Sequence, residues 1–264
     1  PPGYLGTVAD LAAHPRVSDQ VFFSAGRYGV CRSTDGGLTW NAVVGDYKDL
    51  GVGWGWRFLF DPADPAHTQV FAEGGLLEST DGGERWRVAS KFPPLPRRFH
   101  QYQAVSDGLS ITACERANWR LFQTEDKGRT WRTLDGPFAG WRTMVLASRP
   151  DKPGVLYLAT EYDAKAKGCV LWVSEDSGET WEARPLPELM AQPTALVCNP
   201  ASPAMLAIGF DNGTVWLSFD EGGEWHDLGT GLARDDVEAL AFSPDENRLY
   251  AKVRELYWIE LPQQ

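Results

Sequence analysis

STDGGLTW, Ser33 to Trp40, decides the fold because it returns four more times. The later copies are STDGGERW (Ser79 to Trp86), TEDKGRTW (Thr124 to Trp131), SEDSGETW (Ser174 to Trp181) and SFDEGGEW (Ser218 to Trp225). Their third-position aspartates, Asp35, Asp81, Asp126, Asp176 and Asp220, follow at intervals of 46, 45, 50 and 44 residues. A fixed period overrules local secondary-structure guesses, since each repeat is one supersecondary unit. A second marker runs through the chain. Short apolar strands end at proline in LAAHP (Pro15), LFDP (Pro62), ASRP (Pro150), VCNP (Pro200) and FSP (Pro244). Between Pro62 and Pro150 the matching strand is HQYQAVSDG, ending at Asp107. The result is six units over 264 residues, 44 each.

Within a unit the strands read by their apolar runs and Gly, Asn, Asp and Pro punctuation. In the fifth, TALVCNP is strand A, AMLAIGF is B, TVWLSF is C, and D begins at Trp225. Four short strands per unit at this period predict an all-β fold, a six-bladed β-propeller of four-stranded antiparallel blades, with residues 1–264 as one domain. The last unit offers VEALAFSP, RLYAKV and ELYWIEL and then stops. The residues before Val8 are placed to supply its missing strand and close the ring.

The octapeptide, written S-x-D-x-G-x-T-W, resembles the Asp-box (BNR) repeat, and the resemblance covers essentially the whole chain. Families with this repeat include sialidases, xyloglucan-cleaving endoglucanases, sortilin-type receptors and photosystem II assembly factors. The stretch DPADPAHTQVFAEGGLLESTDGG is most similar to the xyloglucanase and sortilin repeats. Asp-box C–D hairpins are structural. The aspartate accepts N–H bonds from its own turn. The fifth-position glycine, Gly37, Gly83, Gly128, Gly178 or Gly222, supplies a positive φ. The closing tryptophan packs between blades.

A four-stranded meander puts its A–B and C–D turns on one edge and its B–C and D–A connections on the other. The twelve tryptophans sort accordingly. Five close octapeptides, and Trp172, Trp216 and Trp258 fill one core position in strand C, where other units carry Phe122, Leu77 and Cys31. Trp54, Trp56, Trp119 and Trp141 remain, and all map to the edge opposite the octapeptides. Thr7, Trp54, Arg142, Gln192 and Asp236 align at the start of strand A, with Arg98 the counterpart in the third unit and Arg57 close by. The B–C loops add Glu73, Glu115, Glu161, Asp211 and Glu255, together with Arg27, Arg116, Tyr162 and Arg254; His100 falls at the same mouth.

Arginines, carboxylates and aromatic faces around a concavity suit a polar ligand with flat apolar faces, either a glycan or an anionic small molecule. The expected ligand-binding set is Trp54, Trp56, Arg57, Arg98, His100, Arg116, Trp119, Trp141, Arg142 and Arg27. The bland alternative is a solvated rim on which arginines and carboxylates neutralise each other. A glycoside hydrolase or lyase would instead use paired carboxylates as acid and base, with Glu115, Glu161, Tyr162 and Asp211 the candidate catalytic residues. Resemblance to sialidases implies an arginine grip by Arg57, Arg98 and Arg142 and a tyrosine–glutamate pair of Tyr162 with Glu161 or Glu115, but no F/Y-R-I-P motif is present near the start. Resemblance to the photosystem factors implies a scaffold that holds a protein partner.

The net charge of −11 excludes a broad basic footprint for nucleic acid. The absence of an apolar run of membrane-spanning length excludes insertion as a helix. The cysteines at 31, 114, 169 and 198 show no CxxC, and His14, His67, His100 and His226 are scattered, so neither metal nor cofactor is expected. The chain reads as a monomer, either cytoplasmic or secreted with its leader removed.

Overall fold

The structure is a computed structural model. It describes residues 8–25, 29–45, 50, 52, 55–61, 64–72, 75–91, 102–106, 111–115, 120–138, 144–149, 151–161, 168–187, 191–228, 232, 235–243 and 248–261; of residues 8–9, 55–56, 102–106, 111, 113–115, 120 and 144 it gives the backbone only. Two compact units are present: Pro1–Ala113 with Phe122–Arg132, and Cys114–Leu121 with Thr133–Gln264.

Every described strand is part of an antiparallel meander. The first sheet is β1 (Val8–Ala13), β2 (Val21–Ala25), β3 (Gly29–Ser33) and β4 (Asn41–Val44). The second is β5 (Gly55–Phe60), β6 (Thr68–Ala72), β7 (Gly75–Ser79) and β8 (Arg87–Lys91), and the third β9 (Tyr102–Ser106), β10 (Ile111–Glu115), β11 (Arg120–Thr124) and β12 (Arg132–Leu134). The fourth comprises β13 (Met144–Ser148), β14 (Leu156–Thr160), β15 (Val170–Ser174) and β16 (Glu182–Pro185). The fifth comprises β17 (Pro193–Cys198), β18 (Leu206–Phe210), β19 (Val215–Ser218) and β20 (His226–Asp227). The last sheet has three described strands, β21 (Ala239–Phe242), β22 (Arg248–Lys252) and β23 (Leu256–Glu260). Five sheets therefore match the four-stranded expectation and one falls a strand short. The segment expected to complete it, residues 1–7, lies outside the described residues.

Strand burial follows from sheets packed face to face. The second strands β6, β14 and β18 are buried at every residue, as expected for apolar runs covered on both sides. The outer strands β16 and β20 are mostly exposed and correspondingly polar. Apolar cores fill the space between the first and second sheets (Phe22, Val30, Phe58, Val70), between the fourth and fifth (Tyr157, Leu171, Leu206, Phe210) and between the fifth and sixth (Leu217, Val237, Leu249, Ala251).

Hydrogen bonds place the A–B and C–D turns on one edge. In five sheets the A–B turn closes with one bond, from His14 N to Gln20 O, Asp61 N to His67 O, Arg149 N to Val155 O, Asn199 N to Met205 O, and Ser243 N to Arg248 O. The octapeptide docks onto that turn: Gly36, Gly82, Ser177 and Glu221 donate their N–H to Asp19, Ala66, Gly154 and Ala204 at 2.8–2.9 Å. That docking requires a left-handed fourth position, and Lys127, Ser177 and Glu221 hold it at φ 59–62° without being glycine. The fifth position is left-handed as expected, from 86 to 92° across the five copies.

Glycine at the fifth position answers a second demand that spacing alone did not reveal. A Cβ on Gly222 would lie 2.4 Å from Leu171 of the fourth sheet, and one on Gly128 would lie 2.4 Å from Leu76 of the second. Both of these hairpins are thus pressed against the sheet before them. The fourth-position carbonyl is latched from that same sheet, Gly82 O by Gln20, Lys127 O by Gln69 and Glu221 O by Arg184. Oppositely charged side chains span two of these joints with reversed polarity, Asp61 with Lys127 at 3.2 Å and Arg149 with Glu221 at 2.5 Å.

Two sequence expectations change. The tryptophans Trp86 and Trp131 do meet rings of the preceding sheet, Phe22 and Phe71, whereas Trp40 packs on Phe23 of its own sheet. More consequentially, Trp258 is not the strand-C core residue of the last unit. Trp172 pairs with Leu158, and Trp216 with Ile208, three residues past the residue that closes the A–B turn. The same count in the sixth sheet reaches Ala251, which pairs with Tyr257. Trp258 lies one residue on and faces the other way, 54% exposed, with Arg248 stacked 4.6 Å over its ring. No octapeptide exists in that unit to count from, and a slip of one residue reverses the face.

Candidate functional site

The edge opposite the octapeptides is built from residues that leave strand B and enter strand A. In the second unit, Glu161 directly follows β14, Asp211 directly follows β18, and Gln192 directly precedes β17. Gln192 joins the other two. Its side-chain Nε2 donates to Glu161 Oε1 at 2.7 Å, and its backbone N donates to Asp211 Oδ1 at 2.9 Å. Asp211 N returns a bond to Gln192 O at 3.0 Å, and Val237 N donates to Phe210 O at 3.1 Å. Glu161 and Asp211 are half-buried. The result is two carboxylates whose directions are fixed by N–H donors from one residue.

The corresponding loops of the sixth sheet carry the neutralising arrangement instead, since Arg254 Nε pairs with Asp235 Oδ2 and this bond lowers the Asp235 pKa.

In the first unit Arg57 is exposed on β5. The sequence reading missed its neighbour Asp10, whose carboxylate accepts Phe58 N at 2.8 Å. Burial raises the Asp10 pKa, and the charge of Arg57 and the bonds from Phe58 and Leu11 oppose that rise. The register breaks between Val8 and Asp10, between Gly55 and Arg57 and, in the second unit, between Pro193 and Ala195. These bulges make Asp10 and Arg57 equivalent positions of consecutive inner strands and put Trp56 on a bulge, a feature that re-aims side chains at strand ends. An acidic residue inside the otherwise apolar VADLAA was the available signal for Asp10.

Of the other expected site residues, Trp56 in β5 and Glu115 at the end of β10 have a described backbone only. Arg27, Trp54, Arg98, His100, Arg116, Trp119, Trp141, Arg142 and Tyr162 lie outside the described residues. Among the described residues no three His, Cys, Asp or Glu side chains form a group that could hold a metal ion.

No family model matches the chain. It is 25% identical over 224 residues to the xyloglucanase Xgh74A of Acetivibrio thermocellus, a match covering 68% of this chain and 26% of that protein. Among solved structures, the GH74 xyloglucanase of Xanthomonas campestris aligns with a TM-score of 0.71 and 21% identity, over 95% of this chain and 44% of that one. YCF48 of Cyanidioschyzon merolae aligns with a TM-score of 0.68 and 14% identity, over 99% of this chain and 87% of that one; YCF48 has also been solved bound to a D1 peptide. The chain thus spans about a quarter of its curated relative and less than half of the glycoside hydrolase structure. These likenesses establish the fold, an all-β β-propeller.

Proposed function

We propose that this propeller binds a polar, carbohydrate-like or anionic ligand at the edge opposite its octapeptide hairpins. The observation that carries the reading is Gln192, which orients Glu161 and Asp211 together. Fixed carboxylates accept sugar hydroxyls at little reorganisation cost. The test is calorimetric titration with xyloglucan oligosaccharides and with sialic acid. Replacing Glu161→Gln together with Asp211→Asn is expected to weaken binding about tenfold or more, the effect of truncating oriented polar contacts. Unchanged affinity in that variant discards the site.

Two other readings have an observation each. Similarity to a xyloglucanase favours hydrolysis, with Glu115, Glu161, Tyr162 and Asp211 as the residues to test. Reducing-sugar release that disappears in Glu161→Gln would establish it. Similarity to YCF48, which the chain nearly matches in length, favours an assembly scaffold. Saturable binding of a peptide, without any response to glycans, would establish that instead.

In this reading the octapeptides are Asp boxes, and the three-stranded sheet is the sixth blade, completed by residues 1–7. Deleting Pro1 to Thr7 is then expected to lower the melting temperature, and an unchanged value removes the closure.

A further inference from the structure

On the octapeptide edge of the first unit, a cavity of about 330 Å³ opens between the second sheet and the third octapeptide. Thr80, Arg87, Lys127 and Arg129 border it, and His67 and Glu78 line it as well. We propose that it binds a tetrahedral oxyanion, such as a phosphate or sulfate group.

The argument rests on which charges face the cavity. Arg87 holds Glu78 Oε1 through Nε at 2.8 Å and Nη2 at 2.6 Å, and Lys127 Nζ holds Asp61 Oδ2 at 3.2 Å. The basic side chains are 73% and 59% exposed, while both acidic partners are 11% exposed. The acids therefore lie behind and the cations in front. His67 sits behind as well, with Nδ1 3.1 Å from Asp61 and Nε2 3.5 Å from Glu78. The remaining carboxylate of the wall, Asp64, accepts Ala66 N at 2.9 Å.

Donors remain in excess. A guanidinium has five N–H groups and an ammonium three, so Arg87 and Lys127 keep spare hydrogens after engaging their acids. Arg129 is exposed and makes no ion pair among the described residues. A four-oxygen anion accepts from several such donors at once, and charge-assisted bonds of this kind are the strong ones. The volume suits a small group at the lower end of the range for ligand sites.

Inorganic phosphate, sulfate and glucose 6-phosphate, titrated at constant ionic strength against chloride, test the proposal by calorimetry and melting temperature. Saturable binding is expected, weakened about tenfold or more by Arg129→Ala, retained in part by Arg129→Lys, and unaffected by Glu161→Gln on the other edge. A free ion is the ligand if phosphate binds at least as well as the ester, and a phosphorylated molecule is the ligand if the ester binds more tightly. Either result supports the site. No response beyond chloride, or equal affinity in Arg129→Ala with an unchanged melting temperature, overturns it.

Discussion

The fifth sheet (β17–β20) and the sixth (β21–β23) start alike, with the residue after strand A donating to a backbone carbonyl at the start of strand B, Asn199 to Met205 and Ser243 to Arg248. They diverge at strand C. The fifth runs into Ser218–Trp225, which turns the chain back into β20 and presses Gly222 onto Leu171. The sixth has no such turn, and β23 alternates between exposed and half-buried residues, leaving Leu256 and Trp258 exposed. An octapeptide therefore does three things at once: it reverses the chain, locks it to its own A–B turn, and fits it to the preceding sheet.

Breaking that third role should give the largest effect. Gly222→Ala forces a Cβ into a φ of 90° and to 2.4 Å from Leu171. Left-handed backbone costs about 1–2 kcal/mol, and overpacking adds about 1–3 kcal/mol. A denaturant midpoint shift of that size at constant m-value is the expected outcome. A neutral substitution would mean that the hairpin and the fourth sheet do not meet closely.

The next effect belongs to a group that sequence reading passed over. Attention falls on the acidic third position, yet the first-position hydroxyl is the buried hub. Ser218 is fully buried; its Oγ accepts Gly222 N at 2.8 Å and Asp220 N at 3.3 Å and donates to Asp220. Ser218→Ala strands a buried N–H and is expected to cost about 1–3 kcal/mol, measured by the same unfolding curves. Asp220→Asn, at an exposed position, is expected to cost less. The reverse order would make the aspartate the hub.

What the sequence disclosed follows this division. Where an octapeptide was present, strand order, turn positions and the left-handed glycines were all legible, because one eight-residue pattern encodes them jointly. Where it was absent, spacing lost the register by one residue, and Trp258 was assigned to the face that Tyr257 occupies. The candidate site was less legible for a different reason. Gln192 and Asp10 act through single hydrogen bonds between neighbouring sheets, which have no period. The sequence grouped Glu161, Asp211 and Gln192 on one edge by topology, but it could not show that the glutamine bridges the two acids.

Acid sharpens the comparison without mutating the core. The Thr39 hydroxyl and amide hold the Asp35 pKa at about 2, the Thr130 amide and hydroxyl hold Asp126 at about 2, and the Glu224 amide lowers Asp220. A carboxyl depressed by folding stabilises the protein above its unfolded pKa, about 3.9, and loses that contribution as pH falls toward its folded value. Wild-type protein is therefore expected to be more stable than Asp35→Asn or Asp126→Asn at neutral pH, with the gap closing between about pH 4 and 2. A pH-independent gap would assign the effect to shape instead of charge.

The smallest expected effect separates the two residues of the sixth sheet that counting confused. Tyr257 is half-buried against the core shared with the fifth sheet, and Trp258 points away. Burial of part of a large ring favours Tyr257 by about 1–2 kcal/mol, below the 3–5 kcal/mol of a fully buried aromatic. Trp258 retains only its stacking with Arg248, worth about 0.5–1 kcal/mol at an exposed site. Tyr257→Ala should therefore destabilise more than Trp258→Ala in matched urea unfolding curves. A larger loss from Trp258→Ala would mean that another strand covers β23 in solution. Repeating the pair after deleting Pro1 to Thr7 would then identify whether that strand is the chain's own beginning: if it is, the excess loss disappears with the deletion, and the fifth and sixth sheets differ only in which part of the chain supplies the outermost strand.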